Sequence, residues 1–536
     1  MKKLFLSLFT LLLPILNFAQ QTEEVGLDQK IDQAFAPVSD FFNDVIFFNV
    51  WHDPDIPFVL VLLVGSALFF TLYFGFPNIR YFWTSINVVR GKYDDVDQAV
   101  LEPAYGDSTP GGDAIETIRD ESKDGEVSHF QALATAVSGT VGNGNIAGVA
   151  LAIALGGPGA TFWMIVCGLL GMSTKFVECT LGVQYRDVGE DGTVYGGPMY
   201  YISKGLKEKG FKTLGKIAAA LFAVFCIGGS FGGGNAAQSN QATIVIKEMF
   251  GWESTAAGAI VGLVLAVLVG VIIIGGIKRI ASVTEKVVPF MAVMYILACL
   301  YILFSNFSLI DNAIALIVKE AFNPTAIGVG SVIGVLLVGF QRAAFSNEAG
   351  AGSASIAHSA VKTKYSASEG LVALLEPFID TVVICTMTAL VIIIFNFGGV
   401  FDYGGDGTGG VLIDGIRYEG AGITSKAFAE YIPFSNVFLT IAVVLFAVST
   451  MISWSYYGLQ SWKFLFGRGK VADLTYKLIF CLFVVIGAAA SMSSIWTFSD
   501  AMIFAMIFPN MIGLYFLFPV VKKQLNRYLD AIRNKA

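Results

Sequence analysis

Charge is scarce in this chain. Asp, Glu, Lys and Arg make up 14% of its 536 residues, and a soluble domain of that size carries nearly twice that share. With 55% of residues hydrophobic, a soluble fold would have too few polar faces to cover its core. The basic residues are too dispersed for a nucleic-acid surface, and the net charge of −7 is small for the length. Paired cysteines are also missing. Cys167, Cys179, Cys226, Cys299, Cys385 and Cys481 lie in apolar stretches without paired spacing, so they read as small hydrophobes and not as a disulfide frame or metal site. The three histidines, His52, His129 and His358, form no ligand pattern. The chain also lacks a nucleotide loop, a Ser-His-Asp set and a nucleophile–base pair, so nothing points to an enzyme.

What the chain does have is apolar blocks of about 20 residues, long enough to cross a hydrocarbon core. Lys2-Lys3, Leu4 to Phe18 and Ala19-Gln20 read as a signal peptide over 1–20, an uncleaved anchor being the alternative. Residues 21–55 read as a periplasmic segment in which Asp28 to Phe48 suits an amphipathic surface helix. One span at 56–76 stands apart, followed by a polar cytoplasmic segment, 77–127. A ten-helix core over 128–521 has spans near 129–156, 160–184, 214–238, 255–277, 284–306, 325–356, 367–397, 430–458, 471–492 and 496–521, and 522–536 is a tail. With residue 55 outside, every inside loop carries Lys or Arg, while the outer loop 398–429 carries Asp402, Asp406 and Asp414. This bias places the mature N-terminus in the periplasm and the C-terminus in the cytoplasm of a bacterial inner-membrane protein.

Two spans are interrupted. The first holds Ser138-Gly139-Thr140-Val141-Gly142-Asn143-Gly144-Asn145, poor helix material that survives at membrane depth only where it lines a cavity or is buried in protein. Its half-helix ends would offer N–H groups to a carboxylate and freed carbonyls to Na⁺. The sixth holds Gly339 to Ser353, with Arg342, Asn347 and Glu348 in an apolar run, and charges at that depth are usually functional. The plain alternative is a packed kink with Arg342 and Glu348 as a mutually satisfied pair. The breaks are first and sixth of ten spans, hence in matching places of two five-span halves of opposite orientation. That arrangement marks the site of a secondary transporter. The expected fold is an all-α membrane protein of about eleven transmembrane helices, a five-plus-five inverted-repeat core plus one extra N-terminal helix.

Several long motifs in order then carry a resemblance: GNGNIAGVALAIALGGPGATFWM (142–164), KFVECTLGVQYR (175–186), GGPMYYI (196–202), NAAQSNQA (235–242), GGIKRIASVTEKVVPFMAV (275–293), AFSNEAGAGSASIA (344–357) and SWSYYG (453–458). They resemble the alanine/glycine:cation symporter family. The resemblance implies Na⁺- or H⁺-coupled alanine or glycine symport and the fold of the amino acid–polyamine–cation superfamily. Asn143 departs from it, standing where the family motif usually has Thr, a change placed to tune the substrate pocket.

The candidate substrate residues are Gly142, Asn143 and Gly144 for a carboxylate and Thr140 for the ammonium. Gln238 is the best fit to the family motif among the amides Gln238, Asn240 and Gln241, whose plain role is interhelical bonding. Phe345 and Trp454 are candidate pocket walls that would limit the side chain. In the eighth core span the carbonyl of Phe446 and the hydroxyls of Ser449 and Thr450 share one helical face. This resembles the cation site of sodium symporters of the superfamily, and the match would add the carbonyls of Ser138 and Val141. The plain alternative is that Ser449 and Thr450 bond back to their own helix. Lys175 and Glu178, three apart, are spaced to pair. If H⁺ replaces Na⁺, Glu348, Glu178 or Asp380 is the natural relay. The expected partners are a small neutral amino acid and the lipid bilayer, with no obligate protein partner, and the expected mechanism is alternating access. The rival readings are an uncoupled facilitator or channel and a membrane sensor or enzyme, which would need an appended domain.

Overall fold

The computed structural model describes residues 27–52, 55–97, 125–189, 192–252, 257–324 and 331–535; the leader and most of the polar segment 77–127 lie outside the described residues. In chain order the main helices are α1 (Leu27–Ile46), α2 (Phe58–Tyr73), α3 (His129–Thr140), α4 (Val149–Gly156), α5 (Gly159–Gln184), α6 (Pro198–Glu208), α7 (Lys212–Phe231), α8 (Ala237–Phe250), α9 (Ala257–Ile273), α10 (Gly276–Ser305), α11 (Phe307–Phe322), α12 (Val332–Asn347), α13 (Ala354–His358), α14 (Ser366–Ala373), α15 (Thr386–Phe395), α16 (Ala421–Tyr431), α17 (Ser435–Phe466), α18 (Lys470–Ala489) and α19 (Met492–Lys535). Three antiparallel hairpins pair β1 (Asn49–His52) with β2 (Asp55–Pro57), β3 (Asp187–Val188) with β4 (Val194–Tyr195), and β5 (Gly410–Ile413) with β6 (Ile416–Glu419).

Among the described residues seven helices are long and apolar enough to cross a membrane, and α3 with α4, bent by 50°, make an eighth. The shorter apolar helices α2, α9 and α12 fill the other three expected positions. Phe290, Val293, Leu297 and Phe304 on α10 and Leu263, Val264 and Val267 on α9 are exposed, the outward apolar surface that a bilayer covers.

The inverted repeat is visible in the order of parts. The first half runs broken helix α3–α4, span α5, hairpin β3–β4, short helix α6, long span α7–α8. The second runs broken helix α12–α13, a span through α14 and α15, hairpin β5–β6, short helix α16, long span α17. Wide helical turns interrupt three spans, at Gly144–Gly148, Gly232–Ala236 and Phe378–Cys385, and such turns gather at functional sites.

Several boundaries differ from the sequence reading. The third core span runs on to Phe250, because the turn at Gly232–Ala236 widens the helix without ending it. The tail 522–536 continues α19 as helix to Lys535. Helix α11 was not anticipated between the fifth and sixth spans. Helix α1 forms close to the expected place but docks on the end of α19, with Ser39 Oγ donating to the Ser494 carbonyl at 3.1 Å.

Candidate functional site

Helix α3 begins with a capping box, Ser128 Oγ accepting from the Gln131 amide while the Gln131 side chain accepts from the Ser128 amide. It stops at Thr140, where Val141 turns to ψ 90°. The amides that would continue the helix are diverted. Gly142 N–H donates to Asn145 Oδ1 at 2.8 Å, Asn143 N–H to Gln238 Oε1 at 2.9 Å, and Asn145 N–H to the Gly142 carbonyl at 3.1 Å. Those amides are the i+4 partners of the Ser138, Gly139 and Val141 carbonyls, which are thereby released from the helical ladder. Asn143 Nδ2 also donates to the Gln238 carbonyl at 3.2 Å, and Gln238 Nε2 to the Gly233 carbonyl at 2.9 Å.

The second break is built differently. The sequence reading began it near Gly339, but α12 is helical through Asn347. The interruption is 348–353, where Glu348 (φ 56°), Gly350 (φ 96°) and Gly352 (φ 85°) adopt left-handed backbone. Arg342 and Glu348 do not pair. Arg342 sits on the helical part of α12 and pairs with Asp500 of α19. Glu348 Oε1 accepts from Trp454 Nε1 at 2.9 Å, and Oε2 accepts from Ser353 Oγ.

The first break lies against the last turn of α12, just before the second: a Cβ on Gly144 would lie 3.4 Å from Ser346 Cα. Between them is a buried cavity bordered by Thr140, Gly144, Gln238, Phe345, Trp454 and Thr450. Glu348, Ser346, Gly139, Gly233 and Ile503 complete the lining. Its open volume is about 10 Å³, room for roughly one water. Phe345 stacks on Trp496, ring centroids 4.8 Å apart.

The proposed cation ligands divide. Ser449 Oγ donates to its own helix at the Phe446 carbonyl (2.9 Å), and Ser138 Oγ donates to the Ser449 carbonyl (2.7 Å). Thr450 Oγ1 is buried and has no hydrogen-bond partner among the described residues. It points at the first break, 2.3 Å from where a Cβ on Gly142 would stand. An unpartnered hydroxyl beside released carbonyls is a donor set suited to a hard cation.

Of the other expected charges, Asp380 ties the first break to the last turn of α12. It accepts from Asn145 Nδ2 (2.6 Å), Ser346 Oγ (2.9 Å) and Thr381 Oγ1 (2.7 Å). Glu178 does not pair with Lys175; it accepts from Asn510 Nδ2 at 2.7 Å, while Lys175 pairs with Glu376 at 3.0 Å. Neither Arg342 nor Glu178 lines the cavity. Asn240 and Gln241 serve structure. Asn240 Nδ2 holds the Ala490 carbonyl (2.8 Å), and Gln241 Oε1 accepts from the Ala421 amide of α16 (3.1 Å). The loop 398–429 covers this end of the first broken helix through Thr424 Oγ1 to the Ile146 carbonyl (3.1 Å) and the Gly404 amide to the Ala154 carbonyl (2.7 Å). In its hairpin, burial works against ionisation of Asp406, but hydrogen bonds from Thr408, Arg417 and the Gly410 amide hold its carboxyl below the usual range.

Sequence reasoning missed Gly233, Ser346 and Ile503 in the cavity and Asp500 as the partner of Arg342. The Gly232-Gly233-Gly234 run inside an apolar span and a lone Asp in the tenth were signals of the same kind as those it used.

Residues 112–536 match the model of the sodium:alanine symporter family. The chain is 38% identical over 484 residues to the sodium/alanine symporter AgcS of Methanococcus maripaludis, covering 90% of this chain and 96% of that one. It is 38% identical over 410 residues to a putative sodium/proton-dependent alanine carrier protein, YrbD, of Bacillus subtilis, covering 75% and 81%. It is 32% identical over 471 residues to a probable sodium/glutamine symporter, GlnT, of the same organism, covering 88% and 87%. With its apolar helices and inverted halves, the chain belongs to the sodium:alanine symporter family, as a multi-pass membrane transporter and not an enzyme.

Proposed function

We propose that the protein imports a small neutral amino acid, alanine or else glycine or serine, together with Na⁺ across the inner membrane by alternating access, its mature N-terminus periplasmic and its C-terminus cytoplasmic. The observation that carries the reading is the unpartnered Thr450 hydroxyl against the opened last turn of α3. Na⁺ would take Thr450 Oγ1 with the released carbonyls of Ser138 and Val141, while Ser449 and Phe446 would join by giving up their mutual bond. The substrate carboxylate would displace Gln238 Oε1 from the Asn143 amide and reach the Gly144 amide at the start of the second half-helix. Phe345, Trp454 and Ile503 wall a space that must widen to admit any amino acid, and these walls would bound the room left for its side chain. The 32% identical relative is a probable sodium/glutamine symporter, so the choice between short and longer side chains would turn on this wall.

A second reading couples H⁺ instead. Asp380 favours it, a buried carboxylate met by three neutral donors. Uptake of labelled alanine into proteoliposomes under imposed Na⁺ or pH gradients separates the two. The expected result is Na⁺-driven uptake that Thr450→Ala lowers roughly tenfold or more and Thr450→Ser largely restores, since substrate and cation each tighten the other by one shared factor. Uptake indifferent to both gradients would overturn symport of either kind.

A further inference from the structure

A row of buried titratable groups lies apart from the cavity, at the end of the bundle where α3 begins and α13 ends. His129 Nδ1 meets Glu369 Oε2; His358 Nδ1 meets the other oxygen of the same carboxylate at 2.5 Å. His358 Nε2 stands 3.6 Å from Glu376 Oε2, and Glu376 Oε1 holds Lys175 Nζ at 3.0 Å. His358, Glu369, Glu376 and Lys175 are fully buried. Among the described residues, neither His358 Nε2 nor Glu376 Oε2 has a partner within hydrogen-bond distance, so a small shift would close the gap between them. At the other end of the row, His129 borders a pocket of about 390 Å³ that also touches Glu126 and Lys362.

Charge bookkeeping assigns the row a proton. With both imidazoles neutral, two carboxylates face one ammonium and a net negative charge is left in a dry interior, which is costly. One proton on the imidazoles makes the row neutral. His358 is placed to hold it, between two carboxylates. Among the described residues around the row, Glu178 of α5 and Glu348 are held by Asn510, Ser353 and Trp454, and Glu285 of α10 accepts from Gln131 at 2.8 Å. Arg186, which keeps its charge, donates to the carbonyls of Ser359 and Val361 outside the row, and Lys362 borders the pocket.

The row also ties together what must separate. It links the first residue of α3 and the last of α13, one half of each broken helix, to α14 and α5. The same seam is closed by backbone bonds from Glu126 and Val127 to the Ala360 carbonyl, at 2.7 and 3.2 Å, and from Lys362 to the Val127 carbonyl, at 2.8 Å. We propose that His358, Glu369 and His129 form a proton-binding latch on the inner side of the transporter. The proton on His358 keeps the seam shut. Its release through Glu369 and His129 to water in the pocket weakens the imidazole–carboxylate pairs and frees the inner half of α3. A group held charged by its partner gives up that hold as pH rises, so the latch opens toward alkaline pH on the inner side.

The inner side is named from the orientation proposed above, but the test does not need transport. Thr135 is buried on α3 beyond the seam. A Thr135→Cys chain in detergent is labelled with a maleimide at about pH 5.5 and about pH 8.5, the native-cysteine parent serving as blank and the denatured chain correcting for titration of the thiol. The corrected rate is expected to rise roughly fivefold with pH and to change by less than about twofold once His358→Gln or Glu369→Gln is added, since removing the proton site removes the linkage. Two separate variants guard against one of them failing to fold. An equal pH response in the intact and altered rows, or none in the intact row, overturns the latch. Absence of Na⁺-driven alanine uptake would instead strike the proposed function.

Discussion

The two broken helices perform matching roles in inverted halves, yet they are broken by different means. The first is opened by side chains: Asn145 and Gln238 capture amides that would continue the helix, and no residue from Gly139 to Gly148 takes left-handed backbone. The second is opened mainly by backbone, with Glu348, Gly350 and Gly352 in the left-handed region and an ordinary helix up to Asn347, and one side chain takes part, Asn347 Oδ1 accepting from the Ala349 amide at 3.0 Å. A break held by side chains can be undone when a ligand competes for the same amides, whereas a break held by left-handed residues is fixed when the chain folds. The first break therefore suits ligand capture and the second suits a permanent corner that presents Glu348 to the cavity.

The strongest test of that contrast is Gly142→Ala. A Cβ there would stand 2.3 Å from Thr450 Oγ1 and 3.1 Å from Gln238 Oε1, filling the space assigned to the cation while leaving an unstrained backbone. Na⁺-driven uptake, normalised to folded protein, should fall by more than about tenfold, while the crowding against Thr450 should also cost about 1–3 kcal/mol of stability. A variant that transports normally would break the assignment of the first break to cation capture.

At the second break the same substitution should act on folding. Gly352 has φ 85°, and its Cβ would meet Pro198 Cγ at 2.8 Å and Asn510 at 3.0 Å. Gly352→Ala should cost about 1–3 kcal/mol, read as a lower unfolding temperature in detergent and reduced yield. Protein that does fold should keep its Na⁺ dependence. If Gly352→Ala left stability intact and abolished coupling, the division of labour would be reversed.

The same contrast explains what could be read in the sequence. The first break was legible to within a few residues, the helix running on to Thr140 and resuming at Gly144, because its cause is local: Gly and Asn at mid-span oppose helix, and Asn145 reaches Gly142 within one turn. The second begins several residues after Gly339, because Arg342, a charge that reads as functional at that depth, is satisfied within a regular helix by Asp500, distant in sequence. The buried row of His129, Glu369, His358 and Glu376 was invisible for the same reason; each histidine looks isolated until α13 and α14 are folded against α3. Hydropathy and loop charge gave the spans and their order, but they carry no signal for wide turns such as Gly232–Ala236, which leave the apolar pattern continuous.

The smallest effect sharpens the comparison most finely. Asn143 does two things at once: its amide donates to Gln238 Oε1 and its Nδ2 to the Gln238 carbonyl, a two-point clasp on a cavity-lining residue. Asn143→Thr keeps the backbone donor but loses the Nδ2 arm, because a hydroxyl on the shorter, branched side chain does not span the same distance. Gln238 is then held by one bond from the break instead of two, and a substrate carboxylate competes for the Asn143 amide against a less constrained rival. Because a neutral hydrogen bond is worth about 0.5–1.5 kcal/mol net, the substrate concentration for half-maximal uptake should shift by only a few-fold. The ranking of alanine, glycine and serine in competition should move with it, at unchanged Na⁺ dependence. A change in Na⁺ dependence of the size expected for Gly142→Ala would mean that Asn143 belongs to the cation site, and that the first break does not keep its carbonyl and amide ends for separate ligands.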